Sequence, residues 1–203
     1  MPTPQESPRR KPKQERARES RDRILDSAAQ LFAERGIPNT STNRIAEHAG
    51  ISIGSLYRYF ADKDAIIEVL RTRLMRQLEE GFTTAVLSGL ALEPQAAIAA
   101  GLHGIVEGLS AQQGLLRALA AEATLDGFVF EDLEKRLLLL TRAYLLHVLG
   151  PLPDEELGTR AFVMVSVGLA TTMRIGLSTP PGLDRARLVD ETARMLATWI
   201  AAG

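Results

Sequence analysis

The chain contains no cysteine, which excludes disulfides, thiol catalysis and cysteine-based zinc sites. Aromatic residues make up 5% of its 203 positions, and no apolar stretch approaches the ~20 residues that span a bilayer. The N-terminus lacks the apolar core of a secretory signal, so a cytoplasmic location without a membrane partner is expected. No segment alternates convincingly with period two, which argues against strands. No glycine-rich phosphate loop follows a strand, and His48, His103 and His147 lie far apart without paired ligand spacing. Neither a metal nor any other cofactor is therefore expected.

What is present is ordinary in amount and uneven in placement. Hydrophobic residues make up 45% and charged residues 24%, enough for a packed core in one domain or in a small domain joined to a larger one. The net charge of −1 hides an asymmetry. Residues 1–63 carry 12 Lys/Arg against 8 Asp/Glu, whereas residues 64–203 carry 12 against 17. A basic first part suggests that it meets a polyanion.

Residues 1–19, rich in Pro, Arg and Lys without a large apolar residue, read as a disordered basic arm. From Ser20 onward the periodicity is helical. Ile24, Ala28, Leu31 and Phe32 share a face, and Gly36 stops that helix. Ser41 suits the N-cap of a short helix carrying Ile45, Ala46 and Ala49, ended by Gly50. Ser52 caps a third, with Leu56 and Phe60 inward, and Asp62 a fourth of about five to six turns lined by Ile66, Leu70, Leu74, Leu78, Phe82 and Val86. Further helices follow from Pro94, from Leu115 to Ala123, from Asp132 to Leu149, and at about 154–177 and 184–201. The expected architecture is all-α with about nine helices: a helix-turn-helix domain at 20–66 and a helical domain at 67–203.

The segment Ala49-Gly50-Ile51-Ser52 has what a helix-turn-helix needs: a glycine able to take positive φ, a small apolar residue to lock two helices, and a cap for the second. The second helix then projects its first residues into a major groove. Ser52, Ser55, Tyr57, Arg58 and Tyr59 remain for its exposed face and flanks, and such hydroxyls and an arginine suit groove and phosphate contacts. Ser41, Thr42 and the amides opening the first motif helix can hold a phosphate, and Lys63 another.

The run Phe32, Gly36, Thr40-Ser41, Ile45-Ala46-Glu47-His48-Ala49-Gly50-Ile51-Ser52, Gly54-Ser55-Leu56-Tyr57-Arg58-Tyr59-Phe60 and Lys63 resembles the TetR family of bacterial regulators over roughly residues 20–68. Beyond Val69 only size and helical content are similar. The resemblance implies a DNA-binding transcriptional regulator, most often a ligand-released repressor, reading a palindromic double-stranded operator as a homodimer. It implies that Ser41, Thr42, Tyr57 and Lys63 anchor phosphates, with Thr40 beside them, while Gly54, Ser55, Arg58 and Tyr59 face the groove. Two residues depart from the family's habit. Arg44 stands where an acidic residue is common, which adds a possible phosphate or base contact, and Tyr59 stands where histidine is common.

In the second domain Phe128, Tyr144 and Met173, with His103 and His147, are candidates to wall a cavity for a small apolar or amphipathic effector, although plain core is the simpler reading of any one of them. Phe162, Val165, Leu169 and Thr172 form one stripe, with Ser166, Gly168 and Ala170 small enough for close helix approach. Leu188, Thr192, Met195 and Trp199 form another. Two helices from each of two subunits would make a four-helix interface. Two other readings compete: a regulator controlled by a protein partner or acting constitutively, and a helical enzyme. The latter rests on Gly50-Ile51-Ser52-Ile53-Gly54, which matches a hydrolase nucleophile elbow but lacks the strand that motif requires.

Overall fold

The computed structural model describes residues 13–122 and 131–202. Among them run nine helices and no strand: α1 Lys13–Arg35, α2 Thr42–His48, α3 Ile53–Tyr57, α4 Lys63–Gly89, α5 Pro94–Ala111, α6 Gln113–Glu122, α7 Glu131–Leu149, α8 Asp154–Ser178 and α9 Arg185–Ala201. The all-α architecture matches the expectation. By internal contacts the chain divides into two compact units, Met1–Leu70 and Arg71–Gly203.

In the first unit α1 begins earlier than the charge pattern suggested. Residues 13–19, assigned above to a disordered arm, are helical. After Pro12 the run Glu15-Arg16-Ala17-Arg18-Glu19 consists of strong helix formers, and its charge does not outweigh that propensity. The inner face of α1 buries Ile24, Leu25, Ala28, Leu31 and Phe32. Gly36 ends the helix at φ 77° and donates its amide to the Phe32 carbonyl at 2.9 Å, the left-handed C-terminal cap that the sequence pointed to. The outer edge is held by Arg21, whose guanidinium lies 5.4 Å from the Phe60 ring centre.

α4 begins and ends within a residue of the span expected from the sequence, Asp62 to about Ser88, but makes more than the five to six turns expected. At 27 residues it makes about seven and a half turns. No proline interrupts it, and Gly81 sits within it at little cost against so long a helix. Its first turn is fixed by Asp62, whose carboxylate accepts from the Ala65 amide at 2.8 Å.

The second unit is built around α5, which packs on α8 and α9, while α7 packs on α8. Its core gathers Ile98, Leu102, Val106, Leu145, Ala161, Ile175, Val189, Ala193, Leu196 and Ile200, all buried. By length and composition α8 is apolar enough to cross a membrane, contrary to the expectation that no stretch approached that length. Its Leu157, Ala161, Val165 and Ile175 are buried, and the helix packs on α5, α7 and α9.

One cation lies in this interior. Arg160 is 8% exposed. It donates to the Glu156 carboxylate from Nε at 3.0 Å and Nη2 at 2.7 Å, and from Nη1 to the Ile200 carbonyl at 3.0 Å. The guanidinium thereby satisfies a carbonyl in the last turn of α9, where a positive charge also complements the helix dipole. Charge-assisted bonds of this kind contribute about 1.5–3 kcal/mol each way of counting. Arg160→Ala should therefore lower the unfolding free energy by about 2–3 kcal/mol in a denaturant titration. An unchanged midpoint would mean that water replaces the guanidinium without loss.

Candidate nucleic-acid interface and effector cavity

α2 and α3 are joined by a turn whose hydrogen bonds account for its sequence. Gly50 has φ 66° and donates to the Glu47 carbonyl at 3.1 Å, and the Ile51 amide reaches back to Ala46 at 3.0 Å. This is a complete Schellman cap, and it needs a residue that tolerates the left-handed region. Ser41 Oγ accepts from the Arg44 amide at 3.3 Å and Ser52 Oγ from the Ser55 amide at 3.2 Å, so both expected N-caps are made. Ile45, Ala46, Leu56 and Phe60 are buried. Two short helices held by buried apolar side chains, with the second helix outward, define a helix-turn-helix.

Its outward residues fall into three groups. Ile53, Gly54 and Arg58 are exposed, as is half of Tyr57 (51%), while Ser55 and Tyr59 are half-buried. The Tyr57 and Thr42 hydroxyls lie 3.1 Å apart, and those of Ser52 and Ser55 2.9 Å apart. These pairs fix where the hydroxyls point and leave each oxygen further bonding capacity. Arg58 sits 6.0 Å from the Tyr59 ring centre, so that ring supports the cation at the helix end.

Two cations are partly committed within the protein. Lys63 Nζ donates to the Ile37 carbonyl at 2.9 Å, and Arg44 Nη1 to the Asn39 carbonyl at 3.1 Å. Each keeps further donors. Thr40 differs from what the motif suggested. It is 1% exposed, and its hydroxyl donates to the Gly36 carbonyl at 2.9 Å. That hydroxyl cannot meet a phosphate; it closes the loop behind α1 and so positions Ser41 and Thr42. Ser52, the serine of the nucleophile-elbow match, follows a helix and holds a cap, which removes the geometry a hydrolase needs.

The second unit contains a narrow, partly open cavity of about 70 Å3. α4 supplies Phe82 and Val86, α5 Ile98, Gly101, Leu102 and Ile105, α7 Leu137, Thr141 and Tyr144, and α8 Met164, Val165, Gly168 and Leu169. Tyr144 was expected here. It is 5% exposed, its hydroxyl donates at 3.5 Å to the Pro94 carbonyl, and burial pushes its phenol above the ordinary value. Met173 lines a smaller adjoining cavity with Leu78, Leu109 and Leu133. The two histidines lie elsewhere. His103 Nε2 is 3.0 Å from Asp190 of α9, and His147 Nε2 is 3.0 Å from the Leu90 carbonyl. Leu102, next to His103 in the chain, takes the inward position, and adjacent helical residues do not share a face; His147 is engaged by the Leu90 carbonyl instead. Phe128 falls outside the described residues.

Each of the two stripes expected at a subunit interface divides. Phe162, Met195 and Trp199 are exposed at 56%, 50% and 39%, and Leu188 and Leu169 are half-buried. Val165, Thr172 and Thr192 are buried within the protomer. The Thr172 and Thr192 hydroxyls donate to carbonyls of their own helices, at 2.7 Å to Gly168 and 2.8 Å to Leu188. Gly168, named for close approach to another subunit, is buried instead, with a Cβ there falling 3.4 Å from Leu102 of α5. The outward stripe on α8 and α9 is therefore narrower and centred on the three exposed large side chains.

Residues 24–70 match the model of the bacterial regulatory proteins, tetR family. The same region is 53% identical over 47 residues to HTH-type transcriptional regulators of Staphylococcus aureus strains USA300 and NCTC 8325, covering 23% of this chain and 25% of each relative. Over most of its length the fold is similar to a TetR-like transcriptional regulator from Rhodococcus sp. RHA1, at TM-score 0.64 and 23% identity over 91% of this chain and 96% of that one. A putative TetR-family regulator from Mesorhizobium loti gives TM-score 0.73 at 17% identity, over 92% and 97%. The N-terminal domain is thus similar to the DNA-binding region of the tetR family. The matched segment spans about a quarter of the curated relatives' length, and the second unit is similar to its neighbours in fold alone.

Proposed function

We propose that the protein is a sequence-specific DNA-binding transcriptional regulator: a cytoplasmic homodimer that represses until a small apolar or amphipathic molecule enters its second unit. The observation that carries this reading is α3. Five residues long, it buries Leu56 and turns Ile53, Gly54 and Tyr57 to solvent, with Arg58 exposed at its C-cap. A helix so placed enters a major groove with its first residues at base edges. Ser41, Thr42, Tyr57 and Lys63 flank it as phosphate contacts, and Ser52, Ser55, Arg58 and Tyr59, with Arg44 beside them, face the bases.

A single short helix reads too few base pairs to be specific. Two copies held about 34 Å apart read a palindrome, so dimerisation through α8 and α9 belongs to the function. Effector control is supported by the cavity, since a constitutive regulator would have no reason to keep its core unfilled. α4 supplies Phe82 and Val86 to that cavity and buries Ile66 and Ile67 in the first unit. Occupancy alters DNA binding by the ligand's differential affinity for two arrangements of this helix. The reading assigns the chain no catalytic residue.

Operator fragments recovered by genomic pull-down supply the test. Tyr57→Phe with Lys63→Ala should lower operator affinity by about 30- to 150-fold, two lost phosphate contacts at about 1–1.5 kcal/mol each. The salt dependence should fall by about one unit of slope for the lost charge. Unchanged affinity and slope in a variant that keeps its helical circular dichroism would refute these anchors.

A further inference from the structure

The cavity of the second unit has a wall of unusual uniformity and one unexplained residue. Among the described residues, no ionisable group other than the Tyr144 phenol lines it, and the hydroxyls of Thr141 and Tyr144 are their polar side-chain groups there. A carboxylate or ammonium entering it would lose hydration without gaining a partner, a cost that no surrounding contact offsets. A neutral hydrocarbon surface loses nothing there.

The unexplained residue is Gly101, in the middle of α5. Its backbone does not need glycine, since it lies outside the left-handed region. Outside its own helix, no atom of the described residues lies within 4 Å of the place a Cβ would occupy. Packing therefore does not demand glycine either. In a helix interior glycine costs about 0.5–1 kcal/mol relative to alanine. What its missing side chain does leave is room, because Gly101 lines the cavity.

We propose that this cavity takes a neutral, slender, largely hydrocarbon molecule with one hydroxyl or carbonyl group, that Gly101 keeps open the space its chain occupies, and that the Tyr144 hydroxyl bonds its polar end. This rests on the reading of the second unit as an effector-binding domain and names the chemistry of the effector. The Tyr144 hydroxyl is available because its bond to the Pro94 carbonyl, at 3.5 Å, is at the limit of a hydrogen bond. As a neutral phenol it can donate to an oxygen or accept from a hydroxyl.

The full-length protein is titrated by calorimetry with 1-decanol, decanoate and decyltrimethylammonium, with naphthalene as a probe that has no polar group. Decanol should bind at least tenfold more tightly than either ion. Gly101→Leu should weaken decanol binding at least tenfold. Gly104→Leu, at an exposed glycine of the same helix that is not part of this cavity, should change it less than twofold. Tyr144→Phe should weaken decanol several-fold and leave naphthalene unaffected, a split that a merely structural role would not produce. Tighter binding of either ion, no binding of decanol, or equal effects of the Gly101 and Gly104 variants would overturn the proposal. Operator release is measured separately. Decanol that binds as described without releasing DNA supports the cavity chemistry and refutes effector control.

Discussion

Leu56→Ala should abolish operator binding while leaving the second unit folded. α3 has five residues, and Leu56 is the buried one among them, with 0% exposure. A helix this short has no stability of its own, since nucleation is costly and one turn recovers little of it. What holds it is the Ser52 cap, the Schellman turn at Gly50 and the Leu56 side chain. Leucine-to-alanine changes at fully buried sites cost about 2–5 kcal/mol. The first unit is small, so a loss of that size is a large share of its stability. Thermal denaturation followed by circular dichroism should show an early transition absent from the parent and a later one unmoved. Ile53→Ala, on the same helix at 36% exposure, should stay within about 0.5 kcal/mol. Comparable melting of the two variants would mean that the helix is anchored some other way.

Met195→Glu should convert the proposed dimer to monomers and weaken operator binding by about 10²- to 10⁴-fold. Met195 is half exposed on α9, so the charge is hydrated in the monomer and the fold is undisturbed. In a two-fold interface the same substitution appears twice, placing two carboxylates in one apolar patch. Juxtaposed like charges at an interface cost several kcal/mol. Once the subunits separate, the second half-site is no longer bound at the high effective concentration that linkage provides, hence the size of the loss. Sedimentation velocity gives the mass, and a titration on a full operator against a half-site gives the coupling. A dimer that survives Met195→Glu, and survives Phe162→Glu as well, would place the interface off α8 and α9.

The helix-turn-helix was legible because its constraints are local. A cap, a positive-φ glycine and a small residue between two helices must occur at fixed offsets, and Ser41, Gly50 and Ser52 do what those offsets imply. Thr40 shows where local reading stops. A threonine before a helix suits a phosphate contact equally well, and only the loop's path behind α1 turns its hydroxyl to the Gly36 carbonyl. The interface stripes failed in part for a geometric reason. At 100° per residue, positions 162, 165, 169 and 172 cover about 80° of a helix. That arc straddles the boundary between surface and core, with Phe162 on its outer edge and Val165 and Thr172 on its inner one. In the second unit, apolar helices look alike in sequence whether they fill space or enclose it. Hence Tyr144 lines the cavity as expected of a candidate, Phe82 and Val86 read as plain helix face, and His103 and His147 lie outside the cavity with hydrogen-bond partners, the simpler reading of each.

The brevity of α3 has an evolutionary consequence. A longer recognition helix would tie several side chains to the core, and each change of operator would risk the fold. Here the fold holds α3 through Leu56, the Ser52 cap and the Gly50 turn, and the exposed positions Ile53, Gly54 and Arg58 lie outside those contacts. New operator preferences are thus reachable by single substitutions that leave the protein intact at every step. A duplicated copy of such a gene could drift toward a different promoter without passing through an unfolded ancestor.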